Sequence, residues 1–91
     1  MEITLENAKL LARKGIVGYT RRGRCETTIT WDGISNCFFA DNENLATPRP
    51  LSVADFDIML EYYSTGARRE AVRINFNTAY WWLIFDTVDE A

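Results

Sequence analysis

The sequence predicts an α+β domain, an antiparallel sheet of about five strands with two helices in the order αβββαββ. Three observations carry that expectation. Apolar residues recur at helical spacing near the N-terminus and again after Ser52. Between them lie segments rich in Thr, Ile and aromatic residues, punctuated by turn-formers, with Asp32-Gly33 the strongest hairpin signal. The last third joins an alternating run, Val72, Ile74 and Phe76, to the unbroken apolar stretch YWWLIF at 80–85.

The length of 91 residues suits a single domain spanning 1–91, whose core forms without metal or disulfide staples. A hydrophobic content of 47% is that of a folded chain. No apolar run approaches the roughly 20 residues of a membrane span, and Glu2 and Glu6 stand where a signal peptide would be basic. The expectation is a cytoplasmic protein with no membrane partner.

Taken in order, residues 4–14 read as a helix. Thr4 caps it, Leu5, Ala8, Leu11 and Ala12 form its apolar stripe, and Gly15 stops it. A three-stranded meander follows, with strands at 16–21, 24–31 and 34–40 and turns at Arg22-Gly23 and Asp32-Gly33. A two-residue turn at 32–33 pairs Trp31 with Ile34 and Thr28 with Cys37. Cys25 and Cys37 then point to opposite faces, which predicts free thiols. The segment DNENLATPRP, 41–50, reads as a loop because of its prolines and turn-formers. Ser52 caps a second helix with Asp55 as an acidic capping-box partner, and Val53, Phe56, Met59, Leu60 and Tyr63 form its stripe. Residues 70–76 and 79–88 read as a final hairpin turning at Asn77-Thr78; a helix over 79–88 is the alternative, but Trp, Ile, Phe, Thr and Val favour strands.

That hairpin puts Trp81, Leu83 and Phe85 on the core face and Tyr80, Trp82 and Ile84 on the other. Val17, Tyr19, Cys37 and Phe39 share the corresponding second face of the meander. Helices on both sides of the sheet would bury this face. Helices on one side alone would leave it open as an aromatic partner surface, with Tyr80 and Trp82 at its centre. On that reading Trp82 also lies beside Arg73 and could pair two copies of the chain.

Charge is distributed unevenly about a net −3. From Lys9 to Arg24 every charged residue is basic: Lys9, Arg13, Lys14, Arg21, Arg22 and Arg24. From Asp32 to Glu61 the acids Asp32, Asp41, Glu43, Asp55, Asp57 and Glu61 face only Arg49. Arg68, Arg69 and Arg73 form a second basic group. Such asymmetry suits oriented binding to a charged partner.

Catalytic signatures are absent. There is no histidine, which removes the commonest general base and metal ligand. Ser35, Ser52 and Ser64 lack a nucleophile context, and Asp55 and Asp57 stand too close in sequence to share a helix face. The acids of DNEN lack the glycine of a calcium loop, and no phosphate-binding glycine loop occurs. No cofactor, no metal and no enzymatic activity are expected.

Two functions remain. The first is a protein-binding module or inhibitor that uses its acids to occlude a surface of a larger protein or nucleoprotein complex. In size and acidity the chain resembles the single-domain proteins that phages and mobile elements encode against host machinery, anti-CRISPR proteins among them. The resemblance rests on no motif and covers no specific residues. The alternative is a small nucleic-acid-binding regulatory module, gripping phosphates with Arg21, Arg22 and Arg24, stacking a base on Tyr19, and using Arg68, Arg69 and Arg73 as a second contact. The overall acidity counts against it.

Overall fold

Thr4 starts the first helix as its side chain dictates: Oγ1 accepts the Asn7 N–H at 3.1 Å. The helix α1, Leu5–Lys14, ends at Gly15, whose φ of 94° suits a residue without Cβ. Ala8 and Ala12 are buried on its inner face. Lys9 lies along the sheet, its Nζ 4.7 Å from the centre of the Trp31 ring.

The computed structural model describes residues 1–20 and 25–91. Four strands follow α1 in sequence and in space: β1 Ile16–Tyr19, β2 Glu26–Asp32, β3 Cys37–Asp41 and β4 Arg49–Ser52. All are antiparallel. A 3₁₀ turn, Val53–Asp55, leads into α2, Phe56–Ser64. Two more helices complete the chain, α3 at Arg68–Ile74 and α4 at Thr78–Glu90. The α+β class is as predicted. Among the described residues the layout is a four-stranded sheet and four helices, not five strands and two helices.

The Asp32-Gly33 hairpin turns later than its sequence suggests. Asp32 pairs with Cys37, Trp31 with Phe38 and Thr28 with Asp41, so residues 33–36 form the turn. Ile34, expected in β3, sits at the tip in solvent. Asp32 holds the turn by accepting the Ile34 N–H at 3.0 Å and the Ser35 hydroxyl at 2.8 Å. The positive φ falls on Asn36, at 54°, and not on Gly33. These bonds to the Asp32 carboxylate, Ser35 first, hold its pKa below the usual value. The shift in register is even along each strand, so the predicted faces survive. Parity sets Cys37 on the outward face, Cys25 lies before β2 outside the paired residues, and both cysteines are free.

The proline-rich loop also holds more order than expected. Arg49 and Pro50 belong to β4, where Pro50 lies opposite Phe39. An edge strand tolerates the missing N–H.

The last third departs most from the sequence reading: neither 70–76 nor 79–88 is a strand. The alternation of Val72, Ile74 and Phe76 is outweighed in α3 by Arg, Glu and Ala, all better helix formers. The predicted turn at Asn77-Thr78 is a joint between helices. Asn75 Oδ1 accepts the Asn77 N–H at 2.8 Å, and Thr78 Oγ1 donates to the Asn75 carbonyl at 2.7 Å. The Asn77 carbonyl then receives the Tyr80 and Trp81 N–H groups, which opens α4.

The apolar run is continuous because α4 occupies the middle of the helical layer, against α1, α2, α3 and β1. Trp81 is fully buried, edge-on to Phe38 of β3 and Phe56 of α2 and stacked on Phe85. Trp82 is only 5% exposed and packs on Tyr63 and Phe85. The predicted Trp82–Arg73 pair is replaced by Arg68, whose guanidinium carbon is 5.4 Å from the centre of the Trp82 ring. Gly18 lies where a Cβ would meet Leu83 Cδ1 at 2.6 Å, so its lack of a side chain brings α4 close to β1.

Tyr63 ties α2 to α4 by donating its hydroxyl to Asp86 Oδ1 at 2.7 Å. Burial, then the Asp86 carboxylate, push the phenol pKa well above its ordinary value. A pKa raised by folding gives stability that is complete below the unfolded value of about 10 and is lost as pH rises toward the folded one. Tyr63→Phe should therefore cost about 1–2 kcal/mol at neutral pH. It should also flatten the fall in stability above about pH 10, read by urea unfolding at neutral and alkaline pH. Equal alkaline slopes for both proteins would show that this hydrogen bond carries no linkage.

Candidate functional site

The helices pack on one side of the sheet. Buried residues of α1, α2, α3 and α4 share one core with Ile16, Ile29, Phe38, Ala40 and Leu51, which are the inward residues of the four strands. The alternate residues therefore form an open face.

Strand pairing fixes the layout of that face. Val17 lies beside Thr28, and Thr28 beside Asp41. Thr30 lies beside Phe39, and Phe39 beside Pro50. Tyr19 sits beside Glu26 at one end, and Asp32 beside Cys37 at the other. Val17 is 56% exposed and Tyr19 63%, values that are high for large apolar and aromatic side chains on a sheet. A shallow groove crosses this surface, lined by Thr28, Thr30 and Phe39, by Pro48 from the loop before β4, and by Asp32 and Asp41. The face thus offers an apolar and hydroxyl-bearing floor flanked by carboxylates. Cys37 is buried at its margin, and burial followed by the nearby Asp32 raises its thiol pKa, so it is a poor nucleophile.

The structure separates the acids that the sequence grouped. Asp32 and Asp41 lie on the open face, and the exposed Glu43 follows β3. Asp55 is half-buried and accepts a hydrogen bond from Asn75 Nδ2 at 3.3 Å, a structural contact in place of the predicted capping box. Asp57 and Glu61 are exposed on α2, in the helical layer. Only part of the set can therefore act on one partner surface.

Tyr80 and Trp82 do not form the expected aromatic face. Tyr80 is half-buried against the core and Trp82 is within it. Trp82 therefore cannot pair two copies of the chain. The exposed aromatics of the sheet are on the meander, where parity did place Val17, Tyr19 and Phe39.

In the alternative basic set, Arg21, Arg22 and Arg24 lie outside the described residues. Tyr19 is exposed, and Arg68, Arg69 and Arg73 gather with Val72 around one shallow depression on α3. Arg68 is partly committed to the Trp82 ring.

Two features escaped the sequence reading. Glu26, Thr28 and Thr30 join the open face, a placement that strand parity alone would have given. Phe76, read from the sequence as the end of an alternating strand, is 100% exposed. Its position between the two asparagines of an Asn-x-Asn joint was the available signal for a loop.

Among the described residues, no cluster of Cys, Asp and Glu could hold a metal ion. No helix of the described residues is long and apolar enough to cross a membrane. No protein-family model, curated protein or solved structure matches the chain.

Proposed function

We propose that this chain is a non-enzymatic binding protein that occludes a surface of a larger protein or nucleoprotein complex, with the open sheet face as its contact. The observation that carries the reading is the uncovered face on which Tyr19, Val17 and Phe39 stand among Glu26, Asp32 and Asp41. Exposed aromatics are the side chains that supply binding hot spots. The surrounding carboxylates favour a basic partner and steer its approach. A groove that normally holds nucleic acid has that chemistry, and a small acidic inhibitor of the phage or mobile-element kind would compete for it.

Glu26 and Asp41 are exposed and hold no turn, which makes them better probes than Asp32. Affinity capture from the native host should recover a defined partner with the wild-type protein and lose it with Glu26→Lys/Asp41→Lys. The recovered partner should release its nucleic acid when the wild-type protein is added. Recovery of the same proteins by both forms would end this reading.

A second reading, nucleic-acid binding, is favoured by one observation: Arg69 and Arg73 are exposed one helical turn apart on α3. Glu26 beside Tyr19, with Asp32 and Asp41 on the same face, opposes it. A salt-sensitive shift of labelled single-stranded DNA or RNA at physiological salt, lost in Arg69→Gln/Arg73→Gln, would put it first.

A further inference from the structure

The helix α3 buries only Ala71. Val72 on this helix and Phe76 on the joint that follows border one depression and are 46% and 100% exposed, while Ile74, two residues from Val72 and so on another side of the helix, is 56% exposed. Arg69 and Arg73 are exposed on the same helix, and Arg49 lies beside Phe76 and Asn77. Among the described residues no carboxylate lies within 4.0 Å of Arg69 or Arg73. This is an apolar knob set among cations, and a fully exposed phenylalanine has no folding role that explains it.

The open sheet face has the complementary form. Its groove is floored by Thr28, Thr30, Phe39 and Pro48 and bounded by Asp32 and Asp41. The groove is on the strand side of the molecule and α3 is in the helical layer, so one chain cannot bring the two together. Two copies meeting sheet to sheet would oppose carboxylates, and two meeting α3 to α3 would oppose guanidiniums. Only the unlike contact pairs both charge and shape.

We infer that this protein self-associates head to tail, with Phe76 of one copy seated in the sheet groove of the next and Arg69 and Arg73 facing Asp32 and Asp41. Such a contact leaves a free knob at one end and a free groove at the other, so it builds short chains or a closed ring. It also covers the face proposed above for partner binding. Self-association and partner capture then exclude each other, and the free protein holds its contact face in reserve. The association itself needs no external partner, so its test is independent of the proposed function.

Two variants with all changes at exposed positions separate the halves of the contact: Arg73→Glu/Phe76→Ser on the knob, and Glu26→Lys/Asp41→Lys on the face. Sedimentation velocity of the wild-type protein should show mass rising with concentration at low salt and falling at high salt. Each variant alone should associate at least about tenfold more weakly. Mixed in equal amounts, the variants should form a dimer that grows no further, because the intact groove of one accepts the intact knob of the other. A wild-type protein that stays monomeric at every concentration would overturn the inference, as would a mixture that restores nothing. So would a monomer whose knob patch instead binds labelled single-stranded DNA or an acidic peptide and loses it in Arg73→Glu/Phe76→Ser.

Discussion

Trp81→Ala is expected to cost about 3–5 kcal/mol, much of the stability available to a domain of this size. Trp81 is where the two layers meet. Its ring centre is 5.8 Å from Phe38 on the sheet and 6.0 Å from Phe56 on α2, with Phe85 stacked alongside at 5.8 Å. No small movement of one element can fill the void left behind, since three elements define it. Trp82→Ala should cost nearly as much, roughly 3 kcal/mol, through loss of packing on Tyr63 and Phe85. In a strand, adjacent residues point to opposite faces, and one tryptophan could be lost cheaply. In a helix enclosed by its neighbours, both matter. Urea unfolding of the two single variants decides the matter, and a Trp82→Ala protein as stable as wild type would contradict the burial of α4.

The second large effect falls on binding instead of folding. Tyr19→Ala/Phe39→Ala should weaken the partner complex about 100-fold, the loss expected when a central aromatic pair leaves a contact. Tyr19 is mostly in solvent and Phe39 half-exposed on a face that no helix of the described residues covers, so stability should change by less than about 1.5 kcal/mol. Calorimetric titration against the captured partner, run beside urea unfolding, separates the two quantities. A variant that loses stability and affinity together would mean that Phe39 supports the fold, and the contact would have to be sought elsewhere.

These contrasting outcomes follow the line between what was legible in the sequence and what was not. The helix at Leu5–Lys14 was legible because cap, stripe and glycine stop agree within one short segment. The two faces of the meander were legible because parity survives an even error in register, as the Asp32 turn shows. The last third was misread because its decisive information is not local. An apolar run of six residues fits a strand buried on both sides or a helix enclosed all round, and β-propensity favoured the wrong one. What settles it is the environment, since α4 has neighbours on several sides and the wider repeat of Trp81, Phe85 and Val88 is helical. The candidate contact face was half legible for the same reason. Strand parity placed Tyr19 and Phe39 together, but only the stacking of the described helices on the far side leaves them uncovered.

Pro50 bears on how copies of this protein can meet. An antiparallel sheet with an uncovered face and a bare outer strand is a template on which further strands could add, and continued addition leads to cross-β fibrils. Here the outer strand β4 is four residues long and carries a proline that offers an arriving backbone no N–H. Growth of the sheet by one strand after another is thereby blocked along that edge. If copies associate as inferred above, they meet through side-chain surfaces, and that contact should dissolve with salt and dilution instead of maturing into insoluble material.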